Sequence, residues 1–174
     1  MINKLLFTIF LTPITFLYVN AQNLSAADLI SKSICTSFEC IDPFLRDKGF
    51  LLKKTVTNNY YDGYRYEGNK KSEESGEKSE VVFLKSLLED WENSLQYNIE
   101  SALIFEELKK SFISDHHFVV TGNPSTRKGN NKITLENEYK SVDYPDVRLE
   151  IDIVSKENNG VQKTYYEFTV LRKL

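Results

Sequence analysis

Phe112-Ile113-Ser114-Asp115-His116-His117-Phe118-Val119-Val120 decides the fold, because the chain contains a second version of it. Residues 44–52 read Phe-Leu-Arg-Asp-Lys-Gly-Phe-Leu-Leu, so Phe44, Asp47 and Phe50 match Phe112, Asp115 and Phe118. Leu45, Leu51 and Leu52 likewise match Ile113, Val119 and Val120. Each version reads as the last turn of a helix, a short corner and the first residues of a buried strand.

Upstream of the first version, Ser25 is a good N-cap, with Asp28 three residues on and Leu24 and Leu29 at the staple positions. A first helix over about Ala26–Cys35 follows. Asp42-Pro43 starts a second short turn, and Gly49 ends it in a left-handed conformation.

From Phe50 the period changes to alternation, and Leu51–Thr57, Tyr60–Glu67, Glu80–Lys85 and Ser94–Glu100 read as strands. The first hairpin turns at either Asn58-Asn59 or Asp62-Gly63. Residues 68–79 contain no apolar side chain and read as a solvated loop. Leu84, Leu87, Leu88, Trp91 and Leu95 have helical spacing, which would merge everything up to Phe112 into one long helix. Against that, Leu95, Tyr97 and Ile99 alternate and Ser101 is placed as a fresh N-cap. The reading adopted is strand, turn around Glu89–Asn93, strand, then a helix buried through Phe105, Leu108 and Phe112.

After the second version, Phe118–Gly122 starts a strand and Asn123–Asn131 reads as a polar loop. Ile133–Lys140, Val147–Ser155 and Thr164–Arg172 are the clearest strands, and Asn159-Gly160 is a strong hairpin turn because both residues tolerate positive φ. The expected fold class is α+β, with two tandem αββββ pseudo-repeats forming an antiparallel sheet and the helices packed on one face. The halves are residues 22–100 and 101–174 of one compact domain, behind a cleaved leader at 1–21. This order of elements resembles the tandem helix-plus-four-strand architecture of beta-lactamase inhibitory protein-like exported proteins, over most of the mature chain. The resemblance implies a sheet surface suited to gripping another protein.

The leader reading comes from Lys4, the apolar run Leu5–Val19, and Val19 and Ala21 at the positions read by signal peptidase. The run is about fifteen residues long and interrupted by Pro13, short of the roughly twenty that a spanning helix requires. The chain is therefore expected to be periplasmic or secreted, with no stable membrane span after cleavage. Its bias toward Asn, Lys, Ile and Tyr, with this leader, resembles small exported proteins of Bacteroidetes-type bacteria.

Losing Lys4 with the leader moves the formal charge from −3 to −4, which leaves no basic excess for phosphates and disfavours nucleic acid. Cys35 and Cys40 are the only cysteines, and in an oxidising compartment a corner at Thr36-Ser37-Phe38 brings them within disulfide reach. The alternative is two buried thiols. Their spacing is wider than the Cys-x-x-Cys of catalytic dithiols.

His116 and His117 are adjacent and point apart on an extended chain, so they suit a corner better than one metal. Asp143 and Asp146 flank Tyr144-Pro145 without the donor spacing or the glycine of a calcium loop. Asn23-Leu24-Ser25 matches a glycosylation sequon, and Trp91 packs a turn or anchors a partner. No nucleophile elbow, phosphate loop, dinucleotide fingerprint or zinc-helix motif occurs, and no cofactor or metal is expected.

The alternating charges Lys53, Arg65, Glu136, Glu138, Arg148, Glu150, Asp152 and Glu167 read as the solvated side of an antiparallel sheet. The leading expectation is a non-enzymatic module that meets another envelope or extracellular protein through that face. The alternatives are an envelope hydrolase or carbohydrate-active protein using the carboxylates, with or without His116, and a carrier of an apolar ligand.

Overall fold

Ser25 opens the first helix in the computed structural model, which describes residues 23–68, 78–88, 92–129, 132–158 and 160–173. The leader at 1–21, most of the polar stretch 68–79, Trp91 and Asn159 lie outside the described residues. Helix α1 (Ala26–Lys32) carries the expected capping box: Ser25 Oγ accepts from the Asp28 amide at 3.0 Å, and the Asp28 carboxylate accepts from the Ser25 amide at 2.9 Å. It ends three residues earlier than expected, where the Ser33 hydroxyl donates to the Ile30 carbonyl at 2.7 Å.

Helix α2 (Phe38–Asp47) starts four residues before Asp42 and holds Pro43 inside it, which corrects the expected Pro-first start. A proline there forfeits one backbone bond and crowds the preceding turn. Two features hold the turn in place. Ile41 and Leu45, four apart, are both fully buried, and a disulfide joins Cys35 to Cys40 across the corner with Cα atoms 5.5 Å apart.

The strands are β1 (Phe50–Thr57), β2 (Tyr61–Gly68), β3 (Ser79–Ser86) and β4 (Asn93–Ile99), then β5 (Phe118–Val120), β6 (Ser125–Gly129), β7 (Lys132–Ser141), β8 (Val147–Asn158) and β9 (Val161–Arg172). Helix α3 (Ala102–Ser114) lies between β4 and β5, so the described parts of Leu84–Phe112 include two strands and a helix, while most of the expected turn around Glu89–Asn93 lies outside the described residues. The first hairpin turns at Asn58, whose side-chain carbonyl accepts from the Tyr60 and Tyr61 amides at 2.8 and 2.9 Å. Asp62-Gly63 lies inside β2 instead.

All nine described strands join one antiparallel sheet in the order β1-β2-β3-β4-β9-β8-β7-β5, with β6 also pairing β7. Strand β6 replaces the expected polar loop. Its five residues are all exposed, so no apolar alternation marks it; backbone pairing and the contacts of Ser125 and Arg127 with Glu136 hold it. Four strands thus lie on each side of the β4–β9 seam, counting β5 and β6 as one interrupted edge.

One face of this sheet carries the core. Cross-strand pairing places Tyr66, Val81, Tyr97, Phe168 and Ile151 in one row, and Phe83, Leu95, Val170, Leu149 and Tyr139 in the next. All ten are buried, together with Ala26, Leu29 and Ile30 of α1, Ile41 and Leu45 of α2, and Phe105, Leu108 and Phe112 of α3. Phe105 stacks on Tyr166 at 4.2 Å and lies 5.6 Å from Phe168, while Phe112 lies 5.9 Å from Phe168. Aromatic pairs of this kind add specificity to burial that is already favourable.

The two helix-to-strand corners share a positive φ, although α2 runs one residue further into its corner than α3 does. Gly49 has φ 84° and His117, at the matching position, has φ 52°. Both are followed by a fully buried phenylalanine, Phe50 and Phe118. The helices leave the corners with different faces inward: Phe44 is half-buried and Leu45 buried, whereas Phe112 is buried and Ile113 exposed.

Candidate functional site

The face of the sheet opposite the helices is where the sequence-derived candidates meet. Side chains alternate along a strand and directly paired residues share a side, so the register reads off its pattern. Arg65, Glu136, Glu138, Arg148, Glu150, Asp152 and Glu167 all belong to this open face. Lys53 occupies a bulge in β1 and reaches Glu67 at 3.9 Å, and Lys54 takes its place opposite Arg65.

Cross-strand pairing turns scattered charges into bands. Glu67, Glu80, Asn98, Glu167, Asp152 and Glu136 are consecutive partners across six strands, β2-β3-β4-β9-β8-β7. The next band holds Arg65, Val82, Gln96, Thr169, Glu150 and Glu138, and the third holds Val56, Gly63, Leu84, Ser94, Leu171 and Arg148. Beyond the acidic band, Lys132, Lys156 and Lys163 pair across β7-β8-β9. The face is therefore acidic toward β7–β9 and apolar around β1–β3.

Most of the acidic band is neutralised. Arg65 Nε donates to Glu80 at 2.7 Å, Arg127 lies 2.8 Å from Glu136, and Asn98 donates to Glu80 at 3.2 Å. In the second band Arg148 meets Glu92 at 2.9 Å and Glu150 at 3.5 Å, and Lys140 lies 3.6 Å from Glu138. Asp152 and Glu167 have no ion pair or hydrogen bond among the described residues. Burial first, and then the carboxylates of Glu167, Glu136 and Glu150, push Asp152 up to about 6 against the pull of Arg127. Burial also raises Glu167, helped by Glu80 and opposed by Lys132, Lys156 and Arg127. Glu150 is raised by burial and by Glu138, Glu92 and Glu136, with Arg148 opposing.

A raised carboxylate pKa has a definite sign for stability. Between about pH 4 and pH 6 the folded chain holds a proton on Asp152 that the unfolded chain has released, so this contribution is lost as pH rises through that window. Asp152→Asn removes the penalty. It is expected to stabilise the fold at pH 7.5 by about 1 kcal/mol, after discounting for the half-exposed side chain, and to change little at pH 3.5. Thermal unfolding of both proteins at the two pH values checks this; equal gains at both would place the effect elsewhere.

Concavities mark the face, among them one of about 320 Å³ bordered by Arg65, Glu80, Asn98, Lys156 and Glu167. Another of about 420 Å³ follows the β5–β6 edge past Thr121, Gly122 and Arg127 to Glu136, Glu150 and Asp152. A third, about 260 Å³, lies over Gly63 between Val56, Val82 and Leu84. Sequence reasoning missed this apolar half, although the alternation of Tyr61, Gly63 and Arg65 left a bare position on the outer face.

The histidines take separate partners: His117 Nδ1 lies 2.6 Å from the Asp143 carboxylate, and His116 Nδ1 lies 3.3 Å from the Tyr144 hydroxyl. Together with Ser141, which donates to the His116 carbonyl at 2.8 Å, they tie the second corner to the β7–β8 connection. No group of three or more metal-ligating side chains converges among the described residues. No described helix is long and apolar enough to cross a membrane. Comparison with protein-family models, curated proteins and solved structures finds no match to this chain.

Proposed function

We propose that this chain is an exported, non-enzymatic module that binds another envelope or extracellular protein with the open face of its sheet. One observation carries the reading. A face spanning every strand of the sheet has no helix over it, while all three described helices share the opposite side. Its half-buried mixture of charge, amide and aliphatic side chains suits a protein surface better than bulk water. The Cys35–Cys40 disulfide agrees with an oxidising compartment. The tandem αββββ reading, with its likeness to beta-lactamase inhibitory protein-like exported proteins, is supported by the four strands on each side of the β4–β9 seam and by the matched corners at Gly49 and His117.

Thr169 sits on the open face of β9, paired with Gln96 and Glu150 at the centre. Thr169→Trp puts bulk there without stranding a charge. Residues 22–174 immobilised against envelope and culture-supernatant extracts should capture a saturable protein partner, and Thr169→Trp should weaken that capture tenfold or more at unchanged stability. Undiminished capture would rule out the face.

A second reading, a hydrolase acting on envelope glycans, is favoured by the groove that gathers Glu136, Glu138, Glu150 and Asp152, the last pushed up to about 6 by burial and neighbouring carboxylates. A carboxyl raised toward neutrality beside further carboxyl groups is the arrangement glycoside hydrolysis uses. Turnover of a panel of envelope polysaccharides that Asp152→Asn abolishes would replace the binding reading with this one.

A further inference from the structure

The geometry points to a cationic protein segment with one apolar anchor as the partner of the open face, its lysines or arginines against Asp152 and Glu167 and its anchor over Gly63. The inference rests on the face being the binding surface and adds the chemistry of what binds. Within the acidic band, Glu67, Glu80 and Glu136 each have a cation of their own in Lys53, Arg65 and Arg127. Asp152 and Glu167, paired with each other across β8 and β9, have none within ion-pair distance among the described residues. Lys132 and Lys156 act on Glu167 only from farther off.

Strands β8 and β9 hold the two residues directly opposite each other, and the Glu167 charge bears on Asp152. A guanidinium or ammonium from outside supplies the missing charge and forms the short charge-assisted bonds that carboxylates favour. An anionic lipid surface or a nucleic acid would instead be repelled.

The second feature is independent of charge. Gly63 lets the side chains of Leu84 and Tyr61 close over β2, where a Cβ would lie 3.0 Å from Leu84 Cδ2 and 3.5 Å from Tyr61 Cε2, and these apolar groups with Val56 border a hollow. The hollow of about 260 Å³ above it accepts one aliphatic or aromatic side chain. Strand spacing of about 4.8 Å across three to four strands and a rise of about 3.3 Å over four residues put the hollow roughly 20–23 Å from the carboxylate pair. An extended segment covers that in about six residues.

The test uses a fluorescein-labelled peptide with one phenylalanine and, about six residues on, three lysines in a glycine-serine frame. Fluorescence anisotropy against residues 22–174 should show saturable binding. It should weaken tenfold or more in Asp152→Asn/Glu167→Gln and severalfold in Gly63→Val or when the phenylalanine is replaced by serine. Val56→Gln, on an exposed strand, serves the same purpose should Gly63→Val fail to fold.

Absence of saturation up to millimolar peptide, or binding indifferent to Asp152→Asn/Glu167→Gln, would overturn the inference. Equal competition by spermidine would overturn it too, by marking a site for small polycations. Capture of an envelope partner that Thr169→Trp blocks, but the carboxylate and Gly63 variants leave intact, would retain the face and discard this chemistry.

Discussion

Phe168→Ala is expected to cost about 3–5 kcal/mol of folding free energy, the range for removing a fully buried aromatic side chain. Phe168 has no exposed surface and lies on β9, between Tyr97 of β4 and Ile151 of β8. Phe105 and Phe112 of α3 press on it from above, so the packing of four elements converges on one ring only if β4, β8, β9 and α3 are all in place. Backbone pairing on both sides prevents the central strand from closing the cavity, which places the cost toward the upper part of the range. In urea, the midpoint should fall by roughly 2 M at unchanged slope. A loss under 1 kcal/mol would mean that α3 does not pack on the sheet in this way.

Opening the Cys35–Cys40 bridge is the second large expected effect. A loop this short gives about 2 kcal/mol in the chain-entropy picture of disulfide stabilisation, or roughly 5 °C in Tm for a domain of this size. Local sequence makes the dependence sharper. Ser37 makes no side-chain cap to α2, and Pro43 interrupts its backbone bonding, so the bridge and the buried pair Ile41 and Leu45 carry the helix. Cys35→Ala/Cys40→Ala should melt lower than the oxidised wild type and match the reduced wild type. Labelling of two thiols in unreduced, denatured protein would show that the bridge does not form.

Local signals in the sequence were read reliably where the physics is local. Ser25 with Asp28 specifies a capping box from residues three apart, and Gly160 takes φ 76° at the hairpin between β8 and β9. The alternation of Val147, Leu149 and Ile151 with Arg148, Glu150 and Asp152 separates the two faces of β8, with Val154 the apolar exception on the open side. Strand β6 was illegible because an edge strand with every side chain in solvent has no periodicity to show. The start of α2 was misjudged because the proline rule is a local preference, and burial of Ile41 and Leu45 overrides it.

The candidate face divides in the same way. Each charged residue on it was legible as outward-facing from its own strand. The acidic band was not, because Glu80, Glu167, Asp152 and Glu136 come from four strands up to 87 positions apart in the chain, and only register aligns them. Burial in the paired sheet, and then the carboxylate neighbours that pairing brings, raise Asp152, while Glu136 gains the cation of Arg127. The Gly63 hollow needs both flanking strands before it exists at all.

The most direct measurement of the central claim is carbodiimide labelling of carboxylates, read by mass spectrometry, on residues 22–174 alone and with its captured partner. Glu138, Glu150, Asp152 and Glu167 lie on the open face, and Glu106 and Glu107 are exposed on α3 on the other side. Protection of the four sheet carboxylates in the complex, with Glu106 and Glu107 labelled as in the free protein, is the expected result. Protection of Glu106 and Glu107 with the sheet carboxylates unchanged would contradict it and move the binding surface to the helices.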